Sequence, residues 1–188
     1  MKAKLKKSEF EEIYRLLGSV SPLDYDCGTL CGAACCTKGD DPEMGIYLLP
    51  GEEKLFERDE DWFVWSTERA EDYDFPDSWK GAVHFIRCKT PPVCPREKRP
   101  IQCRSFPLLP HISEDGELSL VYNDFEPPYS CPLIEEELPL NDDFYEATLE
   151  AWRRLISDPL IYDLVRMDSK NREDSVKELA ELLGEDIG

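Results

Sequence analysis

The sequence predicts an α+β fold: one loop-rich domain over residues 1–188, with short strands around a cysteine-rich centre, an N-terminal helix and two to three C-terminal helices. Three observations carry that expectation. Helical periodicity is confined to the two ends of the chain, short β-branched or aromatic runs lie between them, and the segments joining those runs hold all eight cysteines and most of the prolines. A chain of 188 residues buries roughly 70% of its unfolded surface, so it needs neither disulfides nor metal merely to possess a core.

Ser8 followed by Glu11 reads as a capping box, and Phe10, Ile13, Leu16 and Leu17 recur at helical spacing up to Gly18, which predicts a helix over 9–17. Ser21 to Asp41 contains Pro22, Gly28, Gly32, Gly39 and half of the cysteines, and is expected to be a loop. Ile46 to Leu49 reads as a short strand, broken by Pro50-Gly51 ahead of a helical turn at Glu52 to Phe56. Trp62 to Trp65 and Ala82 to Arg87 read as further strands. Between Lys89 and Pro110 stand Pro91, Pro92, Pro95, Pro100, Pro107 and Pro110, a density that argues against regular structure. Leu118 to Tyr122 follows a Glu114-Asp115-Gly116 turn as a strand, and Pro127-Pro128 and Pro132 predict another irregular stretch. A helical region follows over 141–184. Asn141 caps a helix carrying Phe144, Leu149, Trp152, Leu155 and Ile156, Asp158-Pro159 starts the next, and Val176, Leu179, Leu182 and Leu183 mark a final amphipathic helix ending at Gly184.

Composition excludes several classes. Against 22 Lys+Arg stand 41 Asp+Glu, and a net charge of -19 repels a nucleic-acid backbone over most of the surface. A hydrophobic fraction of 41% is too high for a disordered chain. No stretch approaches the roughly 18 uncharged residues of a membrane helix. The basic start runs directly into Glu9, Glu11 and Glu12 with no apolar segment, so a cytoplasmic location is expected. In that reducing compartment eight cysteines read as thiolate ligands or buried thiols rather than as disulfides. Ser105 to Ala151 carries twelve Asp/Glu and no Lys/Arg, a solvated surface able to receive a basic protein partner.

The cysteines form two clusters in sequence. The first is Cys27, Cys31, Cys35 and Cys36, with glycine after each of the first two, where tight turns aim backbone N–H groups at thiolate charge. A continuous helix there would align Cys27, Cys31 and Cys35 on one face and send Cys36 elsewhere. The second is Cys88, Cys94 and Cys103, with Cys131 further on. Between Cys88 and Arg104 stand Lys89, Arg96, Lys98, Arg99 and Arg104 against only Glu97, a local charge of +4 in an acidic chain. Four thiolates around zinc leave a formal charge of about -2, and an iron–sulfur cluster is comparably anionic, so adjacent guanidinium groups would offset it. A solvated basic loop is the simpler alternative. Arg99 and Arg104, flanking Cys103, are the candidates for backing the thiolates or holding backbone carbonyls. His84 and His111 read as packed or surface residues.

The run Cys27 to Cys36, then Gly45-Ile46-Tyr47-Leu48-Leu49-Pro50-Gly51-Glu52, then Arg99-Pro100-Ile101-Gln102-Cys103-Arg104-Ser105-Phe106-Pro107-Leu108, resembles the CxxCxxCC family of zinc- or iron-chelating proteins. The resemblance covers about residues 22–132, and the first cluster has gaps of three residues where the family pattern has two. It implies that Cys27, Cys31, Cys35, Cys36, Cys88, Cys94, Cys103 and Cys131 are metal ligands. The same domain occurs in flagellin lysine N-methylases, but nothing in this sequence marks a pocket for a methyl donor. The expected function is therefore binding of zinc or an iron–sulfur cluster. The alternatives are a redox or methyl-transfer-type enzyme using an iron–sulfur centre, and an acidic interaction module whose cysteines are only structural.

Overall fold

The computed structural model describes residues 2–37, 45–89, 93–123, 129–136 and 138–184. The chain is α+β, with an N-terminal helix, two small antiparallel sheets and C-terminal helices. Helix α1 (Lys7–Gly18) buries Phe10, Ile13 and Leu17. Its cap is not the Ser8/Glu11 pair. The Glu9 carboxylate accepts the Lys6 N–H at 2.8 Å, which moves the start of the helix back to Lys7 and leaves Ser8 inside its first turn.

Two single-turn helices follow, α2 (Gly28–Cys31) and α3 (Ala34–Thr37). Gly32 (φ 64) and Ala33 (φ 56) both adopt the left-handed conformation between them, which ends one turn and re-aims the next. The first cysteine cluster is thus broken into two turns, not strung along one helical face.

The first sheet has the order β1-β3-β2, from β1 (Ile46–Tyr47), β2 (Phe63–Arg69) and β3 (Ala82–Cys88). Its register runs from Phe63 opposite Cys88 to Arg69 opposite Ala82, with Ile46 opposite Ile86. The expected strand at Ile46 to Leu49 stops at Tyr47, although the Leu48 N–H still reaches His84 O at 2.8 Å. A 3-10 turn at Glu52–Leu55 follows Gly51, whose φ of 97 and contact with Phe10 and Ala3 leave no room for a side chain.

The proline-rich stretch is more regular than its composition suggests. It contains a 3-10 turn at Arg96–Lys98, helix α4 (Ile101–Ser105) and strand β4 (Leu108–Ile112), which pairs with β5 (Leu118–Tyr122) as a hairpin. Pro100 precedes the first residue of α4, where an N–H is not needed. Pro110 is tolerated because the side of β4 that it faces is not laddered to a strand. On that side Ile112 N–H donates to Ser169 Oγ at 2.9 Å, Arg166 donates to Ile112 O at 2.8 Å, and Arg172 donates to Pro110 O at 2.7 Å. Pro132 likewise opens a helical turn, α5 (Pro132–Glu135), instead of an irregular stretch. Pro91-Pro92 and Pro127-Pro128 lie outside the described residues.

Helix α6 (Asp142–Leu155) starts after Asn141, whose side chain bridges to Ser21 O and Asp24 instead of capping its own helix. The last two expected helices are one, α7 (Pro159–Leu183). No glycine or proline interrupts it, so the Val176 to Leu183 stripe is a continuation that leaves Val176, Leu179, Leu182 and Leu183 exposed. The main core joins α1, α6, α7, β4 and the first sheet through Phe10, Ile13, Leu49, Trp79, Ile101, Leu108, Phe144, Trp152 and Ile161. Among the described residues no helix is long and apolar enough to cross a membrane.

Candidate metal centre

All eight cysteines are free thiols. Cys27 and Cys31 flank the turn of α2, and Cys35 and Cys36 sit side by side on α3 with their Sγ atoms 3.9 Å apart. Cys88 ends β3, Cys94 precedes the 3-10 turn, Cys103 lies on α4, and Cys131 immediately precedes α5. Cys131 is held there by its own carbonyl, which accepts from the N–H groups of Ile134 and Glu135, each at 2.9 Å.

Two of these residues also lie near thiols of the other sequence cluster. Cys131 joins the first cluster: it packs with Leu23 and Leu133 against Cys27, and its charge is felt with that of Cys31. Cys36, 3.9 Å from Cys35, also lies within electrostatic reach of Cys88 and Cys103. Cys94 packs on a separate apolar cluster of Leu48, Phe56, Trp62, Phe63 and Ile86, and Phe63 pairs with Cys88. The thiols therefore form one linked neighbourhood, with Cys27, Cys31 and Cys131 on one side and Cys88, Cys94 and Cys103 on the other. The vicinal pair is the seam between them.

The thiols crowd one another. Burial first, then neighbouring sulfur charge, raises the thiols of Cys88 and Cys103; for Cys27 the adjacent Asp26 also counts. The vicinal pair shares a proton: Cys36 is pulled down to about 6 by its hydrogen bond with Cys35 and secondarily by Arg99, while Cys35 is pushed up. Among the described residues, no three His, Cys, Asp or Glu side chains converge tightly enough to hold an ion as placed. The sulfurs share a neighbourhood, not yet a coordination centre. The donor set itself suits zinc or an iron–sulfur cluster, because all of it is thiol.

The two arginines divide their work. Arg99 Nε donates to Cys94 Sγ at 3.1 Å. Arg104 turns inward: its Nε donates to Arg99 O at 2.6 Å, its Nη1 reaches Tyr14 O at 3.4 Å, and its guanidinium lies 4.4 Å from the Tyr14 ring centre. Beneath it the Tyr14 hydroxyl donates to Glu52 at 2.6 Å. Glu52, fully buried, also accepts the N–H groups of Leu49 (2.9 Å) and Ile101 (2.8 Å). Ile101 opens the helix that carries Cys103, so the buried carboxylate positions that cysteine through the backbone.

Tyr14 and Tyr129 carry no signal in the sequence that marks them for this site, and Glu52 enters it only as the end of the Gly45–Glu52 run, with no role assigned. The Tyr129 hydroxyl is pushed up to about 12 by burial and then by Cys35, Cys131, Cys36 and Cys103. The histidines stand apart from the thiols: His84 pairs with Thr67 at 3.0 Å and His111 with Glu173 at 3.4 Å. No family model, curated protein or solved structure matches the chain.

Proposed function

We propose that this chain binds metal through its eight cysteines, as thiolate-held zinc or as an iron–sulfur cluster, in the cytoplasm and in the manner of the CxxCxxCC family it resembles. The observation that carries the reading is the gathering of eight free thiols, from segments as distant as Cys27 and Cys131, into one neighbourhood. Disordered or merely structural cysteines have no reason to collect there, since mutual repulsion and burial both oppose their ionisation. A cation reverses that penalty. The residues that would hold it are the eight cysteines, with Arg99 offsetting excess thiolate charge at Cys94. The metal would supply cross-linking of the loops, and in an iron–sulfur form electron transfer.

The test is anaerobic purification followed by elemental analysis, acid-labile sulfide assay and visible absorption. Stoichiometric zinc in a colourless protein, or iron with sulfide in a brown one, supports metal binding and names the form. Protein free of both metals under anaerobic conditions overturns the proposal.

A further inference from the structure

We propose that the outer edge of β2 is a docking site for an extended basic peptide, which adds to the first sheet as a fourth strand. β2 stands at the edge of that sheet, whose order is β1-β3-β2. Its ladder phase is fixed at both ends: Trp62 O accepts the Lys89 N–H at 2.8 Å, and the Ala70 N–H donates to Gly81 O at 2.7 Å. Register between those points is one-to-one, so the backbone groups of Val64, Ser66 and Glu68 turn toward β3. Those of Phe63, Trp65, Thr67 and Arg69 turn away from it, and among the described residues none of these outward groups has a partner.

The edge is long and unguarded. No bulge, proline or lysine blunts it, and charge enters the strand only at its last two positions, Glu68 and Arg69. Its side chains are tied within the sheet. Trp65 Nε1 donates to Thr67 Oγ1 at 3.1 Å, Thr67 Oγ1 pairs with His84 at 3.0 Å, and Arg87 donates to Ser66 Oγ at 2.9 Å. The outward groups of β4 offer the contrast, because Arg166, Ser169 and Arg172 of α7 already serve them.

Charge selects the occupant. Residues 57–74, which hold β2 and both its flanks, carry eight Asp/Glu against Arg58 and Arg69. Glu57, Asp59 and Asp61 before the strand and Glu71, Asp72 and Asp74 after it are all exposed. A second copy would set this acidic segment, on a chain of net charge -19, against itself. A peptide with lysine or arginine at alternate positions meets the opposite sign, and exposed Val64 and half-buried Trp65 give its intervening residues apolar neighbours.

The experiment adds a blocked nonapeptide alternating lysine and valine to the full-length wild-type protein and reads amide exchange residue by residue. In the free protein the amides of Trp65 and Thr67 are expected to exchange fast and those of Val64, Ser66 and Glu68 slowly; the peptide slows Trp65 and Thr67. N-methylating every second peptide amide in one phase weakens binding by about tenfold, in the other phase hardly at all. Glutamate in place of lysine abolishes it. Thr67→Pro, which removes an outward N–H and no bond to β3, weakens it as well. No protection by the peptide, equal binding of both N-methylated phases, or equal binding of the glutamate peptide overturns the proposal. Slow exchange of Trp65 and Thr67 in the free protein also overturns it, naming a second copy if it grows with protein concentration and the chain itself if it does not. The decisive pattern is read on wild-type protein, so misfolding of the proline variant does not blur it, and no outcome bears on the metal-binding reading.

Discussion

At Asp158, one carboxylate does three backbone jobs. It accepts the Leu160 N–H at 3.0 Å as the cap of α7, and it also accepts the N–H groups of Lys4 and of Leu5, the latter at 3.0 Å, while almost wholly buried. Asp158→Ala removes a cap and strands two N–H groups of the N-terminal arm, so urea denaturation should show a loss of about 2–3 kcal/mol. An unchanged midpoint would mean that the arm is held by packing alone. Asp168 behaves oppositely. Burial raises its carboxyl from 3.8 to about 6, with Asp74 adding to the shift and Arg172 opposing it. A raised acid binds its proton more tightly when folded, so between pH about 4 and 6 the folded state holds more protons than the unfolded one and stability falls as pH rises. Asp168→Asn should flatten that decline and gain about 1–2 kcal/mol at pH 7, read from denaturation curves across the range. The Asp158-Pro159 start was legible because capping is local chemistry. Glu52 was not: Glu52 and Glu53 are neighbours of identical type, yet only Glu52 is fully buried, and what separates them is the distant Ile101 and Tyr14.

Among the elements, β4 shows how a local rule is overruled by a partner elsewhere in the chain. Proline density between Lys89 and Pro110 argues against a strand, and the argument fails because the donor that Pro110 lacks would have faced α7, not β5. Side chains of α7 stand in for a missing strand, with Arg166, Ser169 and Arg172 serving the carbonyls and N–H of β4. Ser169→Ala removes the hydroxyl without adding bulk and leaves the Ile112 N–H buried without an acceptor. The expected cost is about 1–3 kcal/mol, with faster amide exchange at Ile112 than at Leu120. Equal protection at both positions would show that the hairpin does not depend on the helix. The same distance effect hid how the two cysteine clusters approach each other. Sequence order puts Cys131 after Cys103, whereas in space it packs in the cluster that Cys27 joins, and Cys36, beside Cys35, comes within electrostatic reach of Cys88 and Cys103. The helices and most strands were legible from their own periodicity, because amphipathic patterning needs no knowledge of the partner.

Across the whole molecule, the cysteines and the main core are separate structures. Every residue of the main buried cluster, from Leu5 to Val165, is something other than cysteine, while Cys27, Cys94 and Cys131 belong to two smaller clusters beside it. Zinc fingers unfold when metal is removed because metal binding is their folding energy. Here α1, α6, α7 and the β4-β5 hairpin have their own apolar core, and a chain of this size does not require a metal to close it. The local consequence differs from the global one. The turns at Gly28–Cys31 and Ala34–Thr37 bury little apolar surface, so their order is the part that a metal held by the thiols would support. Chelation under reducing conditions should change helical circular dichroism by only about a tenth, while amide exchange accelerates within residues 27–36 and 93–104. Amides of Phe10, Ile112 and Leu164 should keep their protection. If they lose it together with the cysteine turns, metal and core form one cooperative unit, and the eight thiols would then be the fold's foundation instead of a site built upon it.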